Sequence, residues 1–290
     1  MCILENEALF VEIADKGAEL CRVYDKEAGI ERIWNADPSV WNRHAPLLFP
    51  FVGKVNGGKY RLNGREYEMK TQHGFARDLK FACVEADGNS VSHILTASDA
   101  TLAIYPFEFQ LKVRHYLDGS NPRLLHIEWT VSNTGTDTMY YSIGGHPAFL
   151  PPEGMKKEDC FLGFPGRKEL QYISVDPAGF AVPDVLHRLE PDNSLVPYDS
   201  SLPNTWIFEG HQVSKVQIVR PDKTPFVTVC CEEFPILAVW SNAAGPFICL
   251  EPWFGRTDNE GFAGEISEKA FEQQLGPGMS RRITWSILFH

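Results

Sequence analysis

No apolar run in the 290-residue sequence approaches the roughly 20 residues of a membrane-spanning helix. The first residues, Met1-Cys2-Ile3-Leu4-Glu5-Asn6-Glu7, lack the basic start and apolar stretch of a secretion signal. Membrane insertion is therefore not expected, and a cytoplasmic location is. Long basic runs are missing too, and the formal net charge is -11. A nucleic-acid partner would need a clustered positive field, so none is expected. There are seven cysteines, an odd number, and no C-x-x-C pair. That argues against a disulfide framework or a zinc ribbon and for a reducing compartment. Helical periodicity is scarce, no short repeat or low-complexity segment occurs, and no G-x-S-x-G elbow suggests a serine hydrolase.

Alternation of apolar and polar residues is plentiful. Phe109, Leu111 and Val113 alternate with Gln110, Lys112 and Arg114. Leu125, Ile127, Trp129 and Val131 alternate with His126, Glu128, Thr130 and Ser132, and Ile283 to Phe289 repeats the pattern. A period of two is that of half-buried antiparallel strands. Turn signals separate the runs: Asn63-Gly64 between Tyr60 and Tyr67, then Asp87-Gly88-Asn89, Asp118 to Pro122, and Asn133-Thr134-Gly135. The 20 prolines and 23 glycines are spread along the chain rather than gathered in a linker. The composition, 43% hydrophobic and 22% charged, is that of an ordinary globular protein. The expectation is an all-β fold, a large antiparallel β-sandwich, with residues 1–290 as a single domain. Residues 151–199, rich in Pro, Gly, Asp and Glu, read as long loops with a few short strands, a common form for functional rims.

Three stretches set chemistry-capable side chains beside turn residues. They are Gln72-His73-Gly74-Phe75-Ala76-Arg77-Asp78, Ile143-Gly144-Gly145-His146-Pro147-Ala148-Phe149, and Ile248-Cys249-Leu250-Glu251-Pro252-Trp253-Phe254-Gly255. In the last, a carboxylate ends an apolar run, where loss of water raises its pKa toward that of a useful base. An imidazole can donate or accept a proton near neutral pH. One Glu with one or two His therefore makes an acid/base set needing no metal, cofactor or nucleophile. Taken singly, His73 and His146 read as hydrogen-bonded structural histidines, and Glu251 reads equally as a salt-bridged strand end. Trp253, Phe75 and Phe149 singly read as core. His44, His93, His115, His187, His211 and His290 have no supporting context. Short zinc-ligand spacings are absent. Cys249, inside an apolar strand, reads as inert packing. Glu251 and Asp258, seven residues apart through a turn, give no sign of the facing carboxylates of a glycosidase.

The three stretches, with Ala45-Pro46-Leu47-Leu48-Phe49-Pro50-Phe51-Val52-Gly53-Lys54, Tyr105-Pro106-Phe107-Glu108-Phe109 and Leu275-Gly276-Pro277-Gly278, resemble the aldose 1-epimerase (galactose mutarotase-like) family, its LacX-like branch most closely. The resemblance runs over most of the chain. It implies a β-supersandwich and interconversion of α and β sugar anomers without a cofactor or metal. By that resemblance Glu251 is the general base on the C1 hydroxyl, His146 the acid on the ring oxygen, and His73 the second histidine. Lys54, Arg77, Asn204, Phe75 and Trp253 are then the expected substrate-binding residues. Lys54 stands where better-studied mutarotases often have Arg, and loses the bidentate fork. Asn204 stands where an Asp commonly holds sugar hydroxyls, and can donate as well as accept. Arg77 with Lys54 could hold an anionic group, so a hexose 6-phosphate is an alternative substrate. A non-catalytic sugar-binding or sensing protein on the same fold is a third reading. The expected partner is a monosaccharide or sugar phosphate, and the expected assembly a monomer or homodimer.

Overall fold

The alternating segments become strands of two large antiparallel sheets. The computed structural model describes residues 1–199 and 205–290. The larger sheet has nine strands. Its centre is Phe109–Leu117, Leu124–Asn133 and Ser280–Phe289, the three segments whose sequences alternate most regularly. Phe109–Leu117 pairs with Leu124–Asn133 in the register Val113 opposite Trp129, and Leu124–Asn133 pairs with Ser280–Phe289 with Trp129 opposite Ile283. The apolar residues of these strands share one buried face, as a two-residue period requires. The sheet ends at Ala82–Ala86 on one edge and Leu195–Pro197 on the other.

The second sheet runs Thr205–Glu209, Ile236–Trp240, Ile248–Phe254, Ile143–Gly145 and Leu47–Leu48, with Ala148–Phe149 also paired to Ile248–Phe254. It packs against the first sheet through aromatic side chains. Trp129 of one sheet meets Phe234 beside the other at 5.9 Å between ring centres, and Phe149 meets Phe289 at 6.5 Å. Trp285 reaches so far across that a Cβ on Gly145 would lie 2.7 Å from its ring. A four-stranded sheet, Cys2–Glu5, Leu9–Ile13, Leu20–Asp25 and Ile30–Glu31, closes one side of the core. One hydrophobic cluster runs from Leu4 to Phe289. The sandwich expected from the alternation is therefore present, with the sheets facing each other across aromatic contacts.

Local signals also hold. Asn63 and Gly64, both at positive φ, join Lys59–Leu62 to Arg65–Glu68. Residues 151–199 carry only three-residue strands. The single α-helix among the described residues is the four-residue Asp99–Leu102, started by a Ser98/Thr101 capping box. No helix among the described residues is long and apolar enough to cross a membrane.

One polar cluster sits inside this apolar frame. Asp25, fully buried, pairs with buried Arg32 at 2.5 Å and with Arg123 at 2.7 Å. Arg32 also donates to the His290 carbonyl and lies over the Phe226 ring, tying the small sheet to the end of the large one. Burial pushes the Asp25 carboxyl pKa up, but hydrogen bonds from Arg123 and Arg32 outweigh it and bring it down to about 2. Asp25→Ala leaves Arg32 buried and uncompensated. It is expected to cost about 3–5 kcal/mol in denaturant or thermal unfolding. A loss below about 1 kcal/mol, the range of an exposed pair, would contradict this.

Candidate active site

The strand Ile248–Phe254 lies inside the second sheet and every one of its residues is buried. Alternation divides it. Ile248, Leu250 and Phe254 face the main core, while Cys249, Glu251 and Trp253 point the other way. Glu251 stands opposite Ala238, whose small side chain leaves room in front of the carboxyl. Trp253 stands opposite Gly144 on the neighbouring strand, and a Cβ there would lie 2.5 Å from the indole. The first glycine of the Gly-Gly-His-Pro turn is thus needed for the close approach of Trp253, and the second for that of Trp285.

His146 follows that strand directly. Its Nε2 lies 3.3 Å from a Glu251 carboxylate oxygen. His73 arrives from a distant loop, its ring 5.6 Å from that of His146 and nearly perpendicular to it. The loop is sharply bent, with His73 at φ +65° and Gly74 at φ +67°. A Cβ on Gly74 would lie 2.3 Å from the Phe49 carbonyl oxygen, so only glycine fits. The bend is held by the Gly53 carbonyl, which accepts from the His73 N–H at 2.7 Å, and by the Phe75 N–H, which donates to the Phe49 carbonyl at 3.0 Å. The Gly53 N–H in turn donates to His73 Nδ1 at 3.0 Å. Nδ1 being an acceptor, the ring proton sits on Nε2, and His73 is a fixed donor.

These groups line a cavity of about 440 Å³. Trp41 and Trp240 flank His146, with ring centres at 5.0 and 5.3 Å. Gln72, Lys54, Arg77, Thr257 and the 175–179 loop make the more polar wall. Lys54 Nζ donates to the Ala178 carbonyl at 2.6 Å, and Arg77 donates to the Gln72 carbonyl at 2.8 Å. Arg77 Nε is buried, makes no hydrogen bond among the described residues, and lies 3.9 Å from an Asp78 carboxylate oxygen.

The electrostatics are set by the absence of water. Both Glu251 oxygens are buried and make no hydrogen bond among the described residues. Burial therefore raises its pKa well above the ordinary carboxyl value, against a weaker opposing pull from the Trp253 indole. Burial likewise lowers His146 to about 3, with Arg77 adding to the effect and a backbone contact opposing it. His73 is lowered well below the usual imidazole value, by burial first and then by His146, Arg77 and Arg43. With no ligand the site thus favours a carboxylic acid and two neutral imidazoles. Ligand atoms of His146, Cys249 and Glu251 lie within 4.8 Å of one another, close enough to hold a cation. The Cys249 thiol is held in its protonated form by burial first and then by Glu251.

Of the residues expected from sequence, His73, His146, Glu251, Lys54, Arg77 and Trp253 come together at this cavity. Asn204 lies outside the described residues. Phe75 needs correction as a sugar-facing residue. Its ring packs between Phe49, Tyr105 and Phe109 at 6.0–6.3 Å, inside the main core. The left-handed pair at His73 and Gly74 turns the chain so that the histidine faces the cavity and the next aromatic faces inward. Asp258 is also no partner for Glu251. It forms a buried ion pair with Lys269 and accepts from the Asn56 N–H. Trp41 and Trp240 were missed, because each lies in a stretch with no motif and reaches the site only through long-range packing.

The family model described as aldose 1-epimerase matches residues 2–229. The chromosomal and plasmid LacX proteins of Lactococcus lactis subsp. lactis are each 34% identical over 268 residues, 87% of this chain and 87% of the relative. Among solved structures, a galactose mutarotase related enzyme from Lactobacillus acidophilus aligns with TM-score 0.91 at 30% identity, over 99% of this chain and 96% of its own. A galactose mutarotase-like protein from Lactobacillus casei ATCC 334 aligns with TM-score 0.89 at 29% identity over the whole of both chains.

The pKa directions make a stability prediction. A histidine held neutral in the fold but free to charge when unfolded destabilises the fold as pH drops below about 6.5. His73 and His146 both act this way. In an NMR pH titration their ring signals should show no midpoint between about pH 5 and 8, the range of an ordinary imidazole. A midpoint near 6.5 for His146 would show that the site is wet.

Proposed function

The chain belongs to the aldose 1-epimerase family, and from that premise we propose that it interconverts the α and β anomers of an aldohexose by paired proton transfer. The observation that carries this is the 3.3 Å approach of His146 Nε2 to Glu251 in a buried cavity, with burial moving the two pKa values in opposite directions. Such a pair holds one proton between them and stays neutral overall wherever that proton sits.

The reaction uses both placements. With the proton on His146, the Glu251 carboxylate takes the proton of the C1 hydroxyl while the imidazolium protonates the ring oxygen. The C1–O5 bond breaks and an aldehyde forms. The pair is then left as carboxylic acid and neutral imidazole, the arrangement that burial favours. Rotation about C1–C2 turns the other face of the aldehyde to the ring oxygen. Glu251 returns its proton to O1, His146 removes the one on O5, and the opposite anomer closes. No proton is gained or lost over the cycle. His73, donating through Nε2, supports the ring-oxygen side. Trp41, Trp240 and Trp253 supply apolar surface for the sugar's C–H face and keep out water, which would restore ordinary pKa values.

A second reading has its own support. Arg77, whose buried Nε makes no hydrogen bond among the described residues, sets a cationic donor at the cavity wall, fitted to a substrate with an anionic substituent such as a hexose 6-phosphate.

NMR exchange between anomers, over a panel of hexoses, tests the first reading. Glu251→Gln is expected to slow exchange by about 10²–10⁴-fold. The rate on a neutral sugar should be flat near neutral pH, where the pair holds one proton, and should fall as pH approaches about 3 and His146 takes a second. No acceleration over buffer by the native chain, with tight sugar binding, would point to a binding protein. For the second reading, Arg77→Ala should slow exchange of a hexose phosphate far more than that of the parent hexose. Equal slowing of both would remove it.

A further inference from the structure

Away from this cavity, three soft-metal donors from three different strands converge at the edge of the large sheet. Cys2 lies on Cys2–Glu5, Cys83 on the edge strand Ala82–Ala86, and His93 on Ser90–Thr96. Cys83 and His93 are directly opposite each other in the ladder, which puts their side chains on one face. The ladder shifts register immediately after Cys83, a bulge of the kind that re-aims a side chain. Cys2 Sγ lies 3.3 Å from Cys83 Sγ and 3.9 Å from His93 Nε2. All three ligand atoms fall within 4.8 Å of one another.

His93 is the informative member. It is completely buried, and its Nδ1 has no partner among the described residues. Its other nitrogen, Nε2, faces the two thiols, so the imidazole can present a lone pair to the cluster. The Asp15 carboxylate lies 3.3 Å from the same Nε2 and also accepts from the Met1 amine at 3.2 Å.

We propose that Cys2, Cys83 and His93 form a binding site for a soft divalent cation, zinc by chemistry, with the Asp15 carboxylate moving in as fourth ligand. The spacing supports a metal over a disulfide. Zinc at about 2.3 Å from sulfur and about 2.0–2.1 Å from nitrogen, in a tetrahedron, sets sulfur–sulfur edges near ~3.8 Å and sulfur–nitrogen edges near ~3.5 Å. The 3.3 and 3.9 Å separations are each within about half an ångström of those edges. The sulfur pair is further than that from a bond of about 2.05 Å. Binding releases the two thiol protons to solvent and involves no redox change. The metal would pin the first strand to the exposed edge of the nine-stranded sheet. The site shares no residue with the cavity, so it stands or falls independently of the proposed activity.

The test is cobalt titration of the untagged, full-length, reduced protein without oxygen, followed by zinc competition. One equivalent should bind with a sulfur-to-cobalt charge-transfer band, and zinc should displace it. Cys2→Ser and Cys83→Ser should each weaken binding roughly tenfold or more, and Asp15→Asn less than either. Melting curves of the metal-free variants establish that each is folded, and Cys83 is exposed enough to be replaced safely. Absence of the band, or its survival in both serine variants, overturns the proposal. So does reduced protein that takes no metal but forms a Cys2–Cys83 disulfide in air.

Discussion

A carboxyl group buried beside a neutral imidazole, with no hydrogen bond to satisfy it among the described residues, is the constraint around which the site is arranged. Glu251 carries two oxygens that make no hydrogen bond among the described residues, one of them 3.3 Å from His146 Nε2, in a strand with no exposed residue. A charged group in that setting costs several kcal/mol unless it is compensated. A fold tolerates this only when the surrounding packing over-determines the position. Here it does: Glu251 is held on one side by its ladder partner Ala238 and on the other by the pairing of its neighbours Trp253 and Cys249 with Gly144 and Ala148, and Gly144 and Gly145 are tied to two indoles by contacts no side chain could share. The large sheet, through Trp285, therefore acts on the site from behind without contributing a group to it.

The same constraint explains why His73 sits in a left-handed turn. An imidazole needed only as core filler would not require a backbone conformation costing about 1–3 kcal/mol. The turn fixes Nδ1 on the Gly53 N–H and so directs the Nε2 proton. The result is a donor of fixed tautomer beside a pair whose proton can move. Arg77, Lys54 and the 175–179 loop line the same cavity, and on the proposed reading they set which substrate fits rather than the chemistry.

Much of this was legible in the sequence because the relevant signals are local. The period-two pattern of residues 109–131 and 283–289 gave the central strands, and Asn63-Gly64 gave its hairpin. Glu251 was visible as a carboxylate ending an apolar run. What was not legible depends on which way a chain turns in three dimensions. Phe75 was expected to face the sugar from the resemblance of its stretch to the family, but the positive φ angles at His73 and Gly74 send it into the core. Trp41 and Trp240 carry no motif, and their place beside His146 exists only after the second sheet has formed. His93 had no sequence context, since Cys2 lies far from it along the chain and its pairing with Cys83 depends on the register of the two strands.

The account stands on the protonation of one carboxyl group, which can be observed directly. Infrared difference spectra of the native chain against Glu251→Gln isolate the Glu251 carboxyl stretch. At neutral pH, without sugar, the band should be that of a protonated acid, because burial holds its pKa well above the ordinary value. With a saturating aldohexose an ionised carboxylate band should gain intensity as the proton is drawn to His146. A carboxylate band already complete in the sugar-free protein, and unchanged by sugar, would contradict the shared-proton pair.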